Sequence, residues 1–323
     1  MSMPSEKSDR AMKTFIRIVE IWALTEDQTE LRYLDGLYGP YDEFRALSQQ
    51  GNFLLDNVLP GRAWASRHPV ILRELDDSNF KRAEPARAIG LTCGVALPVF
   101  AGDALKAVVV FLCSDGKVGA GAIELWHNDP GKFFKLKLVE GYYGSAVSFE
   151  LNSRHTGFPR GYGLPGRAWK LNMPLIVKDF KDSRIFLRWK DAIEIGIDRG
   201  LGIPYPHPSG QTWVITFLSA RNAPLAHRFE IWVPDEKKGS LVFHSGDCDQ
   251  NSSLTEQYKS ATIVKGDGTI GRVWQSGVPA VCANLLDDAS IAGRSAAAAR
   301  LSAVAAVPFM NDQRLSAVVA WYF

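Results

Sequence analysis

Gly61-Arg62-Ala63-Trp64, Gly166-Arg167-Ala168-Trp169 and Gly271-Arg272-Val273-Trp274 are one string written three times in the chain. The glycines fall 105 residues apart on both occasions (166 − 61 and 271 − 166). A proline stands five residues after each tryptophan, at Pro69, Pro174 and Pro279. A fixed period of this size marks an internal threefold repeat.

Other features keep the same register. Each copy opens with a strand-like run ending in Glu20-Ile21-Trp22, Glu124-Leu125-Trp126 or Glu230-Ile231-Trp232. A charged turn and a second strand follow (31–34, 133–139 and 240–244), so the opening of each copy reads as a hairpin closed by Gly36, Gly141 or Gly246. A polar helical or irregular segment leads to the Gly-Arg-x-Trp string, read as a turn into a short helix that ends near the proline. Third strands are expected at 70–72, 175–177 and 280–283. Asp77, Asp182 and Asp287 are expected to cap helices at about 79–89, 184–195 and 290–301. Each copy closes with a strand carrying Pro98, Pro204 or Pro308 and an apolar strand at 107–112, 212–218 or 317–322. Units of 1–117, 118–225 and 226–323 follow. A permuted arrangement, with the last strand of one copy beside the first strand of the next, fits the short connections equally well.

Composition narrows the class. The 323 residues are 46% hydrophobic and 22% charged, enough to bury real cores. No apolar run is long enough to span a bilayer, and the first ten residues lack the apolar core of a signal peptide, so a cytoplasmic protein is expected. The net charge of +2 divides as 14 − 16, 14 − 9 and 9 − 10 over the three units. That is no nucleic-acid footprint, but the basic middle unit suits an anionic partner. Cys93, Cys113, Cys248 and Cys282 form no metal-spaced pair and read as small buried apolar residues.

The order Glu-apolar-Trp, hairpin, glycine-rich string into Gly-Arg-x-Trp, proline strand, capped helix and two closing strands resembles the GAF domain. The closest stretches are Gly161-Tyr162-Gly163-Leu164-Pro165-Gly166-Arg167-Ala168-Trp169 and Leu59-Pro60-Gly61-Arg62-Ala63-Trp64. The resemblance covers nearly the whole chain. It implies an α+β fold of three GAF-like units, each an antiparallel sheet flanked by short helices, with a small-molecule pocket on one face. Such domains are sensory modules that often dimerise. The copies are short and the usual flanking helices are missing, which departs from the helix-mediated dimer of the family. The resemblance also touches methionine sulfoxide reductases, whose reactive cysteines lie in the glycine-rich string and near the next helix. Cys248 and Cys282 fall elsewhere. A cysteine–histidine pair for bilin and the cyclic-nucleotide Asn-Lys-x-x-Asp signature are both missing, and nothing in the spacing of the six histidines marks a haem or metal site, although haem held by a single histidine stays open.

Candidate sites carry two readings each. Gly161-x-Gly163-x-x-Gly166 and Gly266-x-Gly268-x-x-Gly271 match a dinucleotide loop in letters, but no βαβ context accompanies them. Arg62, Arg167 and Arg272 either pair with Glu20, Glu124 and Glu230 as a structural tie beneath the motif tryptophans Trp64, Trp169 and Trp274, or bind an anion in each unit. In the middle copy Asn152, Arg154, His155, Arg160 and Arg167 gather near Tyr142 and Trp169, as a pocket for an anionic or planar ligand or as a solvated basic surface. Arg184 and Arg188 read as one exposed helix face, and the alanine run 296–299 as a surface for packing against another copy or subunit. The expected function is a small-molecule-binding sensory protein, without an attached effector, acting through a protein partner or as a homo-oligomer. A scaffold that assembles without ligand and a redox or hydrolytic enzyme are the alternatives.

Overall fold

The structure, a computed structural model, describes residues 14–76, 80–114, 121–178, 180, 187–220, 224–249 and 253–323. The first sheet comprises β1 (Ile16–Leu24), β2 (Glu30–Leu37), β3 (Asn52–Leu54), β4 (Val70–Leu72), β5 (Cys93–Ala101) and β6 (Ala104–Cys113). They run antiparallel in the order β3-β2-β1-β6-β5-β4. The second sheet repeats that order with β7 (Gly121–Asn128), β8 (Lys135–Tyr142), β9 (Gly157–Pro159), β10 (Leu175–Val177), β11 (Ile197–Pro206) and β12 (Thr212–Ala220). The third does so with β13 (Arg228–Asp235), β14 (Ser240–Cys248), β15 (Thr262–Ile263), β16 (Ala280–Cys282), β17 (Val304–Asn311) and β18 (Arg314–Tyr322). Short helices cover one face of each sheet: α1 (Asp42–Gln49), α2 (Val58–Ser66) and α3 (Ala83–Ala88); α4 (Val147–His155), α5 (Gly163–Leu171) and α6 (Trp189–Glu194); α7 (Leu254–Gln257), α8 (Gly268–Ser276) and α9 (Ile291–Ala298). The fold class is α+β. Within each sheet the first strand pairs with the last strand of the same copy.

The closing strands are apolar on both faces because they separate two cores. On β6, Val108, Val110 and Leu112 meet the helices of the first repeat, while Val109, Phe111 and Cys113 face a core shared by all three sheets. Strand alternation delivers the two sets to opposite sides. At the centre Phe111, Phe217 and Trp321, one from each repeat, meet with ring centroids 5.9, 5.3 and 5.9 Å apart. Strand β4 packs against β8, β10 against β14 and β16 against β2, so the repeats form a closed ring around this pseudo-threefold axis.

Several expectations are corrected. The polar segment before each motif helix does form a short helix, α1, α4 or α7, but a short edge strand, β3, β9 or β15, follows it that the sequence reading did not include. Asp77 and Asp182 lie outside the described residues. Asp287 does not cap a helix: it ends a 3₁₀ turn and accepts from Asn284, while Ser290 caps α9 by accepting from the Gly293 amide. Of the alanine run, Ala296 is buried together with Ala292 in the core of its own repeat, while Ala297 and Ala299 pack partly against that core and Ala298 is exposed. No described helix is long and apolar enough to cross a membrane.

Candidate functional site

The Gly-Arg-x-Trp string is a latch between helix and edge strand. Gly61, Gly166 and Gly271 sit inside α2, α5 and α8. A Cβ on them would come within 2.0, 2.1 and 2.4 Å of the carbonyl oxygens of Leu54, Pro159 and Val264. Their own carbonyls accept from the amides of Asp56, Gly161 and Gly266. Each helix then stops in a left-handed residue, Arg67, Asn172 or Gly277, two positions before the proline. The string is therefore a backbone contact, and no dinucleotide loop is built from it.

The glutamates do pair with arginines, but not with those of the motif. Glu20 receives Arg82 Nη1 at 2.6 Å and Nη2 at 2.9 Å, and Glu124 receives Arg188 at the same two distances. Trp22 and Trp126 donate to them from two residues along the strand, Tyr38 and Ser48 add donors to Glu20, and Tyr143, Ser153 and Thr216 add donors to Glu124. Arg188 is thus buried, whereas Arg184 lies outside the described residues. Arg62 and Arg272 are exposed and Arg167 is half-buried. The third repeat has Ala292 and Gly293 at the spacing of Arg82 and Arg188 (21 and 22 residues past the motif glycine). It draws its guanidinium from Arg228, at the position of Ile18 and Ala122, which also donates to Tyr258 and Ser295. Burial raises the pKa of Glu20 and Glu124, yet the paired guanidinium and hydrogen bonds outweigh it and hold both carboxyls below the usual range. For Glu230 burial prevails over the single longer contact and pushes the carboxyl up. The space between sheet and helices, where the resemblance implies a pocket, is taken in each repeat by the protein's own charge cluster.

A cavity opens instead where the pseudo-threefold axis reaches the surface. It has a volume of about 420 Å³ and is walled by Pro98, Pro204 and Pro308, with Val99, Tyr205 and Phe309 one position further on. Arg67 and His207 stand at its edge with Asp103 and Asp312. Arg67 lies over the Phe100 ring at 4.2 Å, donates to the Gly102 carbonyl at 2.9 Å and pairs with the exposed Asp103 carboxylate at 3.2 Å. Tyr205 Oη is buried with no hydrogen-bond partner among the described residues, and burial holds its phenol protonated far above the usual range. Beside Arg67, His68 stacks on Trp213 at 3.6 Å, and His127 stacks on Trp213 at 4.0 Å. His68 and His207 are both pushed down, chiefly by burial and then by neighbouring positive groups: His207 and His127 for the first, Arg67 and His127 for the second. Three of six histidines, scattered in sequence, thus meet beside one arginine. Nothing in their spacing signals it, but the repeat register could have aligned Pro98, Pro204 and Pro308.

The residues expected to form a site in the middle copy are dispersed. Arg160 lies over the Trp169 ring at 5.7 Å. Arg154 pairs with Glu150, which also holds Arg73 of the first repeat. Asn152 and His155 are exposed on α4. Tyr142 turns into the shared core, packs on Phe15 at 5.5 Å and donates to Thr92. Among the described residues no group of three or more His, Cys, Asp or Glu is placed to hold a metal ion.

No protein-family model matches the chain, and no curated protein is significantly similar to it. Among solved structures it is similar to a free methionine-R-sulfoxide reductase from Neisseria meningitidis (12% identity, TM-score 0.24), covering 30% of this chain and 52% of that one. It is also similar to the GAF domain of an Acinetobacter phosphoenolpyruvate-protein phosphotransferase (15%, TM-score 0.24, 31% and 55%). A third is the NreA protein of Staphylococcus aureus, mutated in its nitrate-binding site (20%, TM-score 0.25, 30% and 72%). The match spans about half the length of the first two of these chains and about one repeat of this one.

Proposed function

We propose that this chain binds a small ring-bearing acid in the axial cavity, where all three repeats meet, and not inside any single repeat. The observation that carries this reading is the 420 Å³ cavity lined by Tyr205, whose hydroxyl is buried and has no hydrogen-bond partner among the described residues. Ligand pockets have about this volume, with mostly apolar walls and a few polar groups. Prolines, Tyr205 and Phe309 offer flat apolar surface to a ring, Tyr205 offers a donor, Arg67 offers positive charge to an acid group, and His207 offers a neutral imidazole as a hydrogen-bonding partner. An occupant would touch the β5–β6, β11–β12 and β17–β18 hairpins together, so a partner protein seated on any repeat would sense it.

A second reading, a ligand-free scaffold, is favoured by the filled interiors of the repeats. Thermal unfolding with benzoate, nicotinate, indole-3-acetate, nitrate and the uncharged ring analogues separates the two. A saturable rise in Tm is expected with at least one ring-bearing acid, and ligand at 100 times its Kd would add about 2.7 kcal/mol. Arg67→Met should weaken that response. No shift with any ring-bearing acid, together with a defined oligomer by light scattering, supports the scaffold.

A further inference from the structure

The three junctions of the ring are built at equivalent positions but filled differently. Gly36, Gly141 and Gly246 pair with the three buried glutamates, so Leu37, Tyr142 and Asp247 correspond, as do Gly39, Gly144 and Asp249. Counting five residues back from Pro98, Pro204 and Pro308 gives Cys93, Arg199 and Ala303. Between the second and third repeats, Arg199 is fully buried and pairs with both Asp247 (2.9 Å) and Asp249. Between the first and second, the Tyr142 ring fills the equivalent space against Phe15, and a depression bordered by Arg73, Glu74 and Tyr142 remains outside it. Between the third and first, the same positions are Ala303, Leu37 and Gly39.

That third junction holds a cavity of about 270 Å³ lined by Leu37, Tyr38, Pro40, Ala283 and Ala303. Its hydroxyls are engaged elsewhere: Tyr38 donates to Glu20 at 3.1 Å and Ser302 to the Phe323 carbonyl at 3.2 Å. Asp42 and Arg45 also border it but are exposed at the start of α1. An ionised ligand would lose hydration inside without a buried counter-charge, whereas an apolar one would gain from leaving water. An engineered apolar cavity of about 150 Å³ suffices for benzene.

We propose that the junction between the third and first repeats is a second binding site, for an uncharged apolar molecule of one or two rings or a short aliphatic chain. The site is independent of the axial cavity and of what binds there.

The test is titration of the full chain with indole and with cyclohexanol, followed by methyl NMR at Leu37 and Ala303 and repeated on Ala303→Leu and Ala283→Leu. Saturable shifts at both methyls in the unaltered protein are expected, with Kd below 1 mM by the usual scale for small apolar ligands. At least tenfold weaker binding is expected in each variant that folds. Ala283→Leu, at an exposed position, keeps the test open if Ala303→Leu does not fold. Absence of saturable shifts with both probes, shifts confined to residues away from this junction, or undiminished binding in the folded variants would overturn the proposal.

Discussion

Arg228 reaches Glu230 from two residues away on the same strand, at 3.3 Å, whereas Arg82 reaches Glu20 across 62 residues of chain at 2.6 Å. Repeats one and two tie the loop before the last helix to the first strand through this pair. The third repeat neutralises the same carboxylate locally and leaves its alanine helix tied by packing and by the Arg228–Ser295 contacts. Arg188→Ala should therefore destabilise the protein by about 3–5 kcal/mol, as expected when one member of a buried pair is removed. Denaturant unfolding checks this, and a loss below about 1 kcal/mol would show that Glu124 finds other compensation.

The pH response of the glutamates should differ in sign. Glu124 is held below its ordinary value of 4.5, so the stability it contributes is present above pH 4.5 and lost as pH falls through its folded pKa. Glu230 is held above 4.5, so its repeat gains stability as pH falls through the folded pKa toward 4.5. Glu124→Gln should lose most at neutral pH and approach the unaltered protein in acid. Glu230→Gln should abolish an acid-side gain. Unfolding midpoints against pH for both variants measure this, and slopes of the same sign would contradict it.

Gly166→Ala separates backbone contact from helix propensity. Alanine favours a helix by about 1 kcal/mol over glycine. At position 166 its Cβ would meet the Pro159 carbonyl oxygen at 2.1 Å. A loss of at least about 3 kcal/mol is expected, from overpacking against backbone that has little room to move. Gly277→Ala, with open space but φ of +68°, should cost only about 1–2 kcal/mol. Thermal unfolding of the two variants is the check, and equal losses would remove the latch reading.

Much of the repeat is legible in the sequence. The spacing locates β4 and β10 at their observed ends, and the tryptophan two residues after each glutamate does share its face. Pairing over long distance is not legible. Arg82 and Arg188 lie 62 and 64 residues from their partners, and the third copy uses another position altogether. Edge strands of two or three residues leave no alternation to read. The ring is hidden for a similar reason: the alternate residues of a strand buried on both faces give one continuous apolar run, which does not say that two different cores are served. The axial cavity depends on that ring, so composition around the middle motif pointed instead to Arg154, Arg160 and Tyr142, which the fold sends in separate directions.

Tyr205→Phe distinguishes a ligand-contacting hydroxyl from a structural one. Removing a buried hydroxyl that has no partner among the described residues should leave stability unchanged or raise it by up to about 1 kcal/mol. Affinity for the ring-bearing acid should fall about 3–10-fold, the value of one hydrogen bond. Calorimetric titration and unfolding of the same preparation report both quantities. A stability loss above about 1 kcal/mol with unchanged affinity would give the hydroxyl a structural role.

The most direct measurement is a crystal structure grown with whichever ring-bearing acid raises Tm most. Ligand density on the pseudo-threefold axis, between Tyr205 and Phe309 with its acid group toward Arg67 and His207, is the result predicted. Density within a repeat beside Glu124 and Arg188, with the axial cavity unfilled, would contradict the account.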